Sequence, residues 1–421
     1  MREMKDSGIE WIGEIPLGWE ISPLKYNYTI IAGATPNSTC QEYWDGNITW
    51  ITPADYKTPD VYVCDSSRKI TKRGLVSCST SILPVGSIVF SKRAPIGSVA
   101  ITRRELCTNQ GCIGLVAKNR LVNNKYFYYV LSIYPEVFDL YGSGTTFKEI
   151  SATTFASIQF PFPHVSIQDR IATFLDSKCS EIDAISADIQ KEIETLEQYK
   201  RSVITEAVTK GLNPDAEMKD SGVPWIGKMP ANWTCIKGKY ILKYMQKPVK
   251  TDDGVITCFR DGEVTLRSNR REDGFTMADK EIGYQGIDVG DLVVHGMDGF
   301  AGAIGISDSR GKASPVLNVL DSRQNKKYIM YYLRSMAYGD VFAALATGIR
   351  VRSCDLRWNK LSVLLYPVPP LEEQAGIVQY IEDTLNKVNG VISEKKQQLT
   401  VIDSYKKSLI YEYVTGKKEA L

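Results

Sequence analysis

Lys92 and Arg93 follow directly on the apolar run SILPVGSIVF, in SKRAPIGS, and His295 closes a similar run, GDLVVH, in the second half of the chain. Basic and hydrogen-bonding side chains at strand ends suit a polyanion: phosphates supply affinity, and donors and acceptors on base edges supply sequence information. Asp55, Tyr56 and Lys57 follow another strand-like run. Ser143, Thr145, Thr146 and Lys148 form a Gly-flanked polar loop where a phosphate could approach backbone amides. The second-half counterparts are His295, Asp298 and Arg310, then Arg350 and Arg352 after the matching glycine. Arg267, Arg270 and Arg271 add a local basic cluster, and Arg260 beside Asp261 is a further candidate. Each of these residues also has a plainer reading, as a solvated loop side chain.

Covalent and metal chemistry find little support. His164 and His295 are the only histidines, and the nine cysteines include no CxxC pair, so they read as reduced thiols in cores. No GxxxxGK[ST] phosphate loop is present. Pro214-Asp215 with Glu217 and Lys219 superficially spells PD…ExK, but these residues are too close together to place carboxylates around one metal from adjacent strands. With 51 basic and 49 acidic residues, net charge is +2, so a nucleic-acid binder of this composition must segregate its charge onto one surface.

The elements that hold these side chains are duplicated. Residues 4–19 read MKDSGIEWIGEIPLGW and residues 218–233 read MKDSGVPWIGKMPANW. PVGSIVFS (84–91) matches DVGDLVVH (288–295), and Ser143-Gly144 matches Thr347-Gly348. Gln168, Ile171, Tyr199-Lys200, Ser202, Ile204 and Glu206 match Gln374, Ile377, Tyr405-Lys406, Ser408, Ile410 and Glu412. Anchors kept in one order at nearly one offset mean a tandem of two units.

Each unit ends in a helix. Prolines in IQFPFPHVS (158–166) and VLLYPVPPL (363–371) stop any strand. Apolar residues then recur every seven: Leu175, Ile182, Ile189, Leu196 and Val203, with Ile185 and Tyr199 as intermediate partners. The second tail gives Ile381, Val388, Ile402 and Leu409, with Val391 and Tyr405, interrupted by Lys395. Such heptads predict coiled-coil helices of ~60 Å that pack on each other, parallel or antiparallel, stopped at Gly211 and Gly416. The middles alternate short β-rich runs with Gly, Asn and Asp turns and each carry a helical segment, which predicts α+β globules with a twisted, partly barrel-like sheet.

A chain of 421 residues accommodates two to three domains with their own cores. No run approaches the roughly 20 apolar residues of a membrane span, and MREMKDSGIEWIG lacks the apolar stretch of a secretory signal, so a cytoplasmic location is expected.

Taken together, the duplicated SG-x-x-WIG-x-x-P-x-x-W box, GATP (33–36), YWDGNITWITPAD (43–55), LPVGSIV (83–89), GSGT (142–145), and PFP-x-x-x-x-Q (161–168) echoed by PVPPLEEQ (367–374) resemble the DNA-specificity subunit of type I restriction–modification systems. The resemblance covers essentially the whole chain. It implies an α+β pseudo-two-fold tandem repeat, in which two target-recognition globular domains alternate with two long helices that pair as an antiparallel coiled coil. The expected boundaries are 1–160 for the first recognition domain, 161–211 for the first helix, 212–217 for a linker, 218–366 for the second domain and 367–421 for the second helix.

The same resemblance implies a non-catalytic protein of a bacterial or archaeal cytoplasm that reads a bipartite, non-palindromic target in double-stranded DNA. Two modification (methyltransferase) subunits and two restriction (translocase/nuclease) subunits are the implied partners. S-adenosylmethionine, ATP and Mg are expected on those partners and no cofactor in this chain, which lacks an Asn-Pro-Pro-aromatic tetrapeptide. The second middle has TCFRDGEVTLRSNRREDG (257–274) in place of a YW-x-G-x-I-x-W counterpart, so the two half-sites should differ. An equivalent reader in another modification or phage-defence complex, and a coiled-coil adaptor that binds no DNA, are the alternatives.

Overall fold

The structure is a computed structural model that describes residues 3–56, 61–93, 95–142, 148–270, 282–345 and 356–420. The chain forms two compact units, Met1–Ile189 with Lys396–Leu421, and Gln190–Lys395. Each combines small sheets, a covering helix and one stretch of each of the two long helices, Val165–Lys210 and Leu371–Val414.

In the first unit, a sheet runs in the order Tyr28–Ala32, Cys112–Ala117, Ile88–Ser91, Val99–Thr102 and Tyr62–Val63. Its pairings are antiparallel except the last, which is parallel. Side chains of a strand alternate between faces, and both faces are covered here. Ile88 and Phe90 join Tyr126, Phe127 and Val130 of the helix Asn124–Ser132 in the main core. Val89 points the other way, into a second cluster with Ile51, Leu83, Ala100 and Leu106. This explains why the run SILPVGSIVF does not alternate in polarity.

The second unit repeats the device. Its sheet runs Leu242–Met245, Leu317–Ser322, Leu292–His295, Ile304–Ile306. Leu292 and Val294 face the helix Lys326–Tyr338, while Val293 enters a separate cluster under the hairpin Ile256–Cys258/Val264–Leu266 and the antiparallel strand pair Gln285–Ile287/Gly311–Ala313. Strands in both units are divided among several small sheets rather than one barrel-like sheet.

The opening box of each repeat is a short antiparallel hairpin, Met4–Asp6 with Glu14–Pro16 and Met218–Asp220 with Lys228–Pro230. Its last tryptophan, Trp19 or Trp233, is almost wholly buried. Within the first unit the long helices run antiparallel, since Phe174 stacks on Tyr413 at 4.3 Å and Asp183 pairs with Lys406 at 2.6 Å. Within the second unit they do the same: Glu192 pairs with Lys395, while Ile204, Ala207 and Val208 share a core with Ile377 and Ile381.

Side-chain bonds tie the helix ends down identically in both units. Gln168 Oε1 accepts from Asn123 N at 2.8 Å, and Gln374 Oε1 from Asn325 N at 2.9 Å. Tyr126 OH donates to Val414 O at 2.9 Å, and Tyr328 OH to Val208 O at 3.1 Å, satisfying carbonyls that a helix terminus leaves open.

The heptad reading needs one correction. Ile185, Tyr199, Val391 and Tyr405 are not core partners but stand 52%, 49%, 41% and 58% exposed. The buried stripe runs Leu175, Ile182, Ile193, Ile204, nearer 3.6 than 3.5 residues per turn, which carries the intermediate heptad positions onto the flank.

Gly211 and Gly416 end the two helices with φ of +74° and +73°, a conformation that costs an L-residue about 1–2 kcal/mol. A Cβ on Gly211 would lie 3.2 Å from the Trp233 ring, but one on Gly416 would fall 2.5 Å from Pro16 and 2.9 Å from Trp19. Gly211→Ala should therefore cost the backbone term and a small shift of the Trp233 and Glu373 side chains, and Gly416→Ala about 1–3 kcal/mol more from overpacking. Chemical denaturation of the two variants checks this; equal losses would refute the packing argument.

Candidate nucleic-acid interface

In the second unit, an open cleft of about 970 Å³ is lined by Thr257, Phe259, Arg260, Arg267, Arg270 and His295, among others. The hairpin Ile256–Cys258/Val264–Leu266 supplies one wall. Its connecting turn requires Gly262 at φ +88°, and Arg334 locks that turn by donating to Gly262 O at 2.8 Å and Ile304 O at 2.7 Å. The strand Leu292–His295 supplies the other wall and delivers His295 and Asp298 at its end.

The cleft's arginines are held by short polar contacts. Arg260 pairs with Asp298 at 2.9 Å, and Arg270 with Asp261 and Glu263 at 2.7 Å each, its guanidinium 4.2 Å from the Phe259 ring centroid. Arg267 Nε donates to Thr257 Oγ1 at 3.0 Å. Burial pushes the Cys258 thiol up to about 12, so at neutral pH it is a protonated wall residue and not a nucleophile. Among the described residues, no group of three or more His, Cys, Asp or Glu side chains could hold a metal ion.

Arg310 lies outside this cleft. It grips Asp253 with two bonds, at 3.0 and 2.9 Å, reaches Asp288, and donates to Pro248 O at 3.0 Å. Lys247 completes the cluster on Asp288 and Asp291 at 2.7 and 2.6 Å. Hydrogen bonds from Lys247 and Arg310 hold the Asp288 carboxyl down to about 2. This arginine ties loops together.

In the first unit, Lys92 and Arg93 both engage Glu149, each at 2.7 Å, with Lys92 the less exposed. Burial works against ionisation of Glu149, but these two cations outweigh it and lower its proton affinity. Asp55 accepts from Thr52 N, Thr52 Oγ1 and Ser67 N at 2.8 Å each. These bonds overcome the effect of burial and keep its carboxyl below the usual range, so Asp55 organises its turn.

Tyr56 is a core side chain, 3% exposed, with its hydroxyl 3.4 Å from Cys112 Sγ, and does not reach outward to a base edge. The residue type fits either place; what buries it is the second core cluster beneath the sheet. Lys148 is exposed. Lys57, Ser143, Thr145, Thr146, Arg271, Arg350 and Arg352 lie outside the described residues. The structure thus gathers Arg260, Arg267, Arg270, His295 and Asp298 into one cleft and leaves Arg310, Lys92 and Arg93 apart from it. Sequence reading missed Thr257, Phe259 and Met297 in the cleft, and Arg334 behind it; their only signal was proximity to the basic cluster.

Two α+β units of one plan, each built on stretches of two antiparallel long helices, make a duplicated fold. The chain resembles, with TM-score 0.69 and 13% identity over 95% of this chain and 98% of the other, a chain solved in work on assembly and conformational transition of the type I R-M system. A family model, the type I restriction modification DNA specificity domain, matches residues 16–195. The type I restriction enzyme MjaIX specificity subunit of Methanocaldococcus jannaschii is 35% identical over 190 residues, 44% of this chain and 43% of the relative. The match thus spans under half of that relative's length. The MjaVIII specificity subunit of the same organism is 22% identical over 96% of this chain and 93% of its own length. The chain is thus similar to type I restriction–modification specificity subunits, over residues 16–195 by the family model and along nearly its whole length by the MjaVIII subunit. Among the described residues, no helix is long and apolar enough to cross a membrane.

Arg310→Ala should lower stability at pH 7 by about 1–3 kcal/mol, because it leaves the buried Asp253 carboxylate without its cation. The folded-state pKa of Asp288 is depressed, so its contribution is complete above the ordinary carboxylate range and disappears as pH falls towards 2. The gap between wild type and variant should therefore narrow from pH 5 down to pH 2. Denaturant titrations across that range test this, and a constant gap would disprove the assignment.

Proposed function

We propose that this chain is the DNA-recognition subunit of a type I restriction–modification complex, reading a bipartite, non-palindromic duplex target with one half-site per unit. The observation that carries this reading is a divergence on a shared scaffold. The matched strands Ile88–Ser91 and Leu292–His295 end in a fully buried serine in one unit and a cleft-lining histidine in the other. A repeat that keeps its frame and changes its strand-end chemistry suits one task performed on two different ligands.

Chemistry on the DNA falls to partners: two methyltransferase subunits using S-adenosylmethionine and two restriction subunits using ATP and Mg, in the cytoplasm of a bacterium or archaeon. The chain itself recognises and scaffolds without catalysis. The exposed apolar residues on the long helices support this. Ile185 and Tyr405 belong to the first unit, close to the Asp183–Lys406 pair; Tyr199 and Val391 are their duplicates in the second. An aliphatic and a tyrosine kept at equal places and left in water suit a partner that docks twice.

Co-expression with the methyltransferase encoded beside its gene, followed by mapping of methylated adenines across the host genome, should show one two-part motif with a fixed spacer. An undivided motif would mean that one unit alone reads DNA, and a stable complex without methylation would favour an adaptor. Replacing Ile185, Tyr199, Val391 and Tyr405 together by Glu should weaken methyltransferase co-purification at least tenfold while leaving the melting temperature within a few degrees. Unchanged co-purification would remove that surface from the partner interface.

A further inference from the structure

The ring of His295 is 18% exposed on the cleft wall. Its Nδ1 accepts hydrogen bonds from the backbone N–H groups of Met297, at 3.2 Å, and Asp298, at 2.9 Å. A ring nitrogen that accepts carries no proton, so the neutral imidazole must hold its hydrogen on Nε2. Protonating Nδ1 would break the turn that positions Asp298. Burial favours the neutral ring and Arg260 adds to this, against the pull of Asp298. Nε2 lies 4.0 Å from Asp298 Oδ2, too far for a hydrogen bond, so its N–H is not committed to that carboxylate. The backbone has therefore fixed one tautomer and presented a donor of set direction in a cleft flanked by Arg260 and Arg267.

We propose that His295 reads one base pair of the second half-site through this Nε2–H donor, accepting as partner a purine N7, guanine O6 or thymine O4 and rejecting the cytosine edge, which offers only a donor in the major groove. The inference rests on the second unit being a DNA reader. At the matching position of the first unit, Ser91 is fully buried and donates to Pro95 O at 2.7 Å, so the repeats differ there in kind.

His164 and His295 are the only histidines, so the full chain labelled with ¹⁵N-histidine gives two imidazole signals, separable with His164→Asn. His295 should show the Nε2–H tautomer at pH 7. Its Nε2–H resonance should shift on adding the duplex selected by the full chain and its co-purified methyltransferase from a randomised pool, while His164 stays put. In the same selection, His295→Leu should lose about tenfold to hundredfold discrimination at one position of one half-site and keep the other half-site and the spacer. An Nδ1–H tautomer, a His295 signal unmoved by a duplex that binds, or a His295→Leu motif identical to wild type would each overturn the proposal. The NMR arm stands even where that variant fails to fold. A wild-type complex that selects no two-part sequence would instead overturn the reader account itself.

Discussion

The structure depends on how each unit closes its core around the end of a long helix. In the first unit Trp19 and Pro16 press on Gly416, and Tyr126 holds the carbonyl of Val414. In the second, Trp233 lies against Gly211, and Tyr328 holds Val208. A buried tryptophan contributes about 150–250 Å² of contact, and a glycine at the helix end turns left-handed without the penalty a side chain would bring. Because the helix terminus is part of the core and not an appendage, the opening box, the covering helix and the helix end must fold together. This explains why ten of the sixteen box positions are identical between repeats while the middles diverge further.

Burial on both faces of the central strands divides labour along the chain. Ile88, Val89 and Phe90, like Leu292, Val293 and Val294, spend every side chain on packing, so no polar side chain can be placed within them. Inside the strands the repeats exchange one apolar residue for another, Ile88 for Leu292 and Phe90 for Val294, and a change of polar chemistry comes only where the strand leaves the core. Ser91 stays inside and bonds to Pro95; His295 emerges and is oriented by two backbone N–H groups. Strand-end placement gives a rigid base to a variable side chain, a better arrangement for reading hydrogen-bond patterns than a free loop.

Much of the frame was legible because duplication doubles each weak local signal. The prolines and glycines marking the long helices, and the buried strand runs, were readable from residue types alone. Side-chain commitments were not. Arg310 is sequestered by Asp253 and Asp288, which lie far from it in the chain, and no local pattern announces that. Tyr56 follows a strand as a ligand-facing residue would, yet a second core cluster claims it. Ile185 and Tyr199 fit a heptad, but the small drift between 3.5 and 3.6 residues per turn places them in water.

Exposure separates the cations that can change partners from those that cannot. Arg310, 27% exposed, is fixed by two carboxylates and a carbonyl; withdrawing it would strand Asp253, only 4% exposed. Arg260 is 62% exposed and its pairing with Asp298 is worth little in water, so a phosphate can take the carboxylate's place at small cost. Asp298 would then remain held by its backbone bond to His295. On the proposed function, with a net charge of only +2, such exchangeable pairs would keep general attraction to phosphate low until a duplex fits the cleft. On the proposed reading, the carboxylates beside the cleft's arginines are part of selectivity: they raise the threshold for backbone contacts and leave discrimination to directed donors such as the His295 ring.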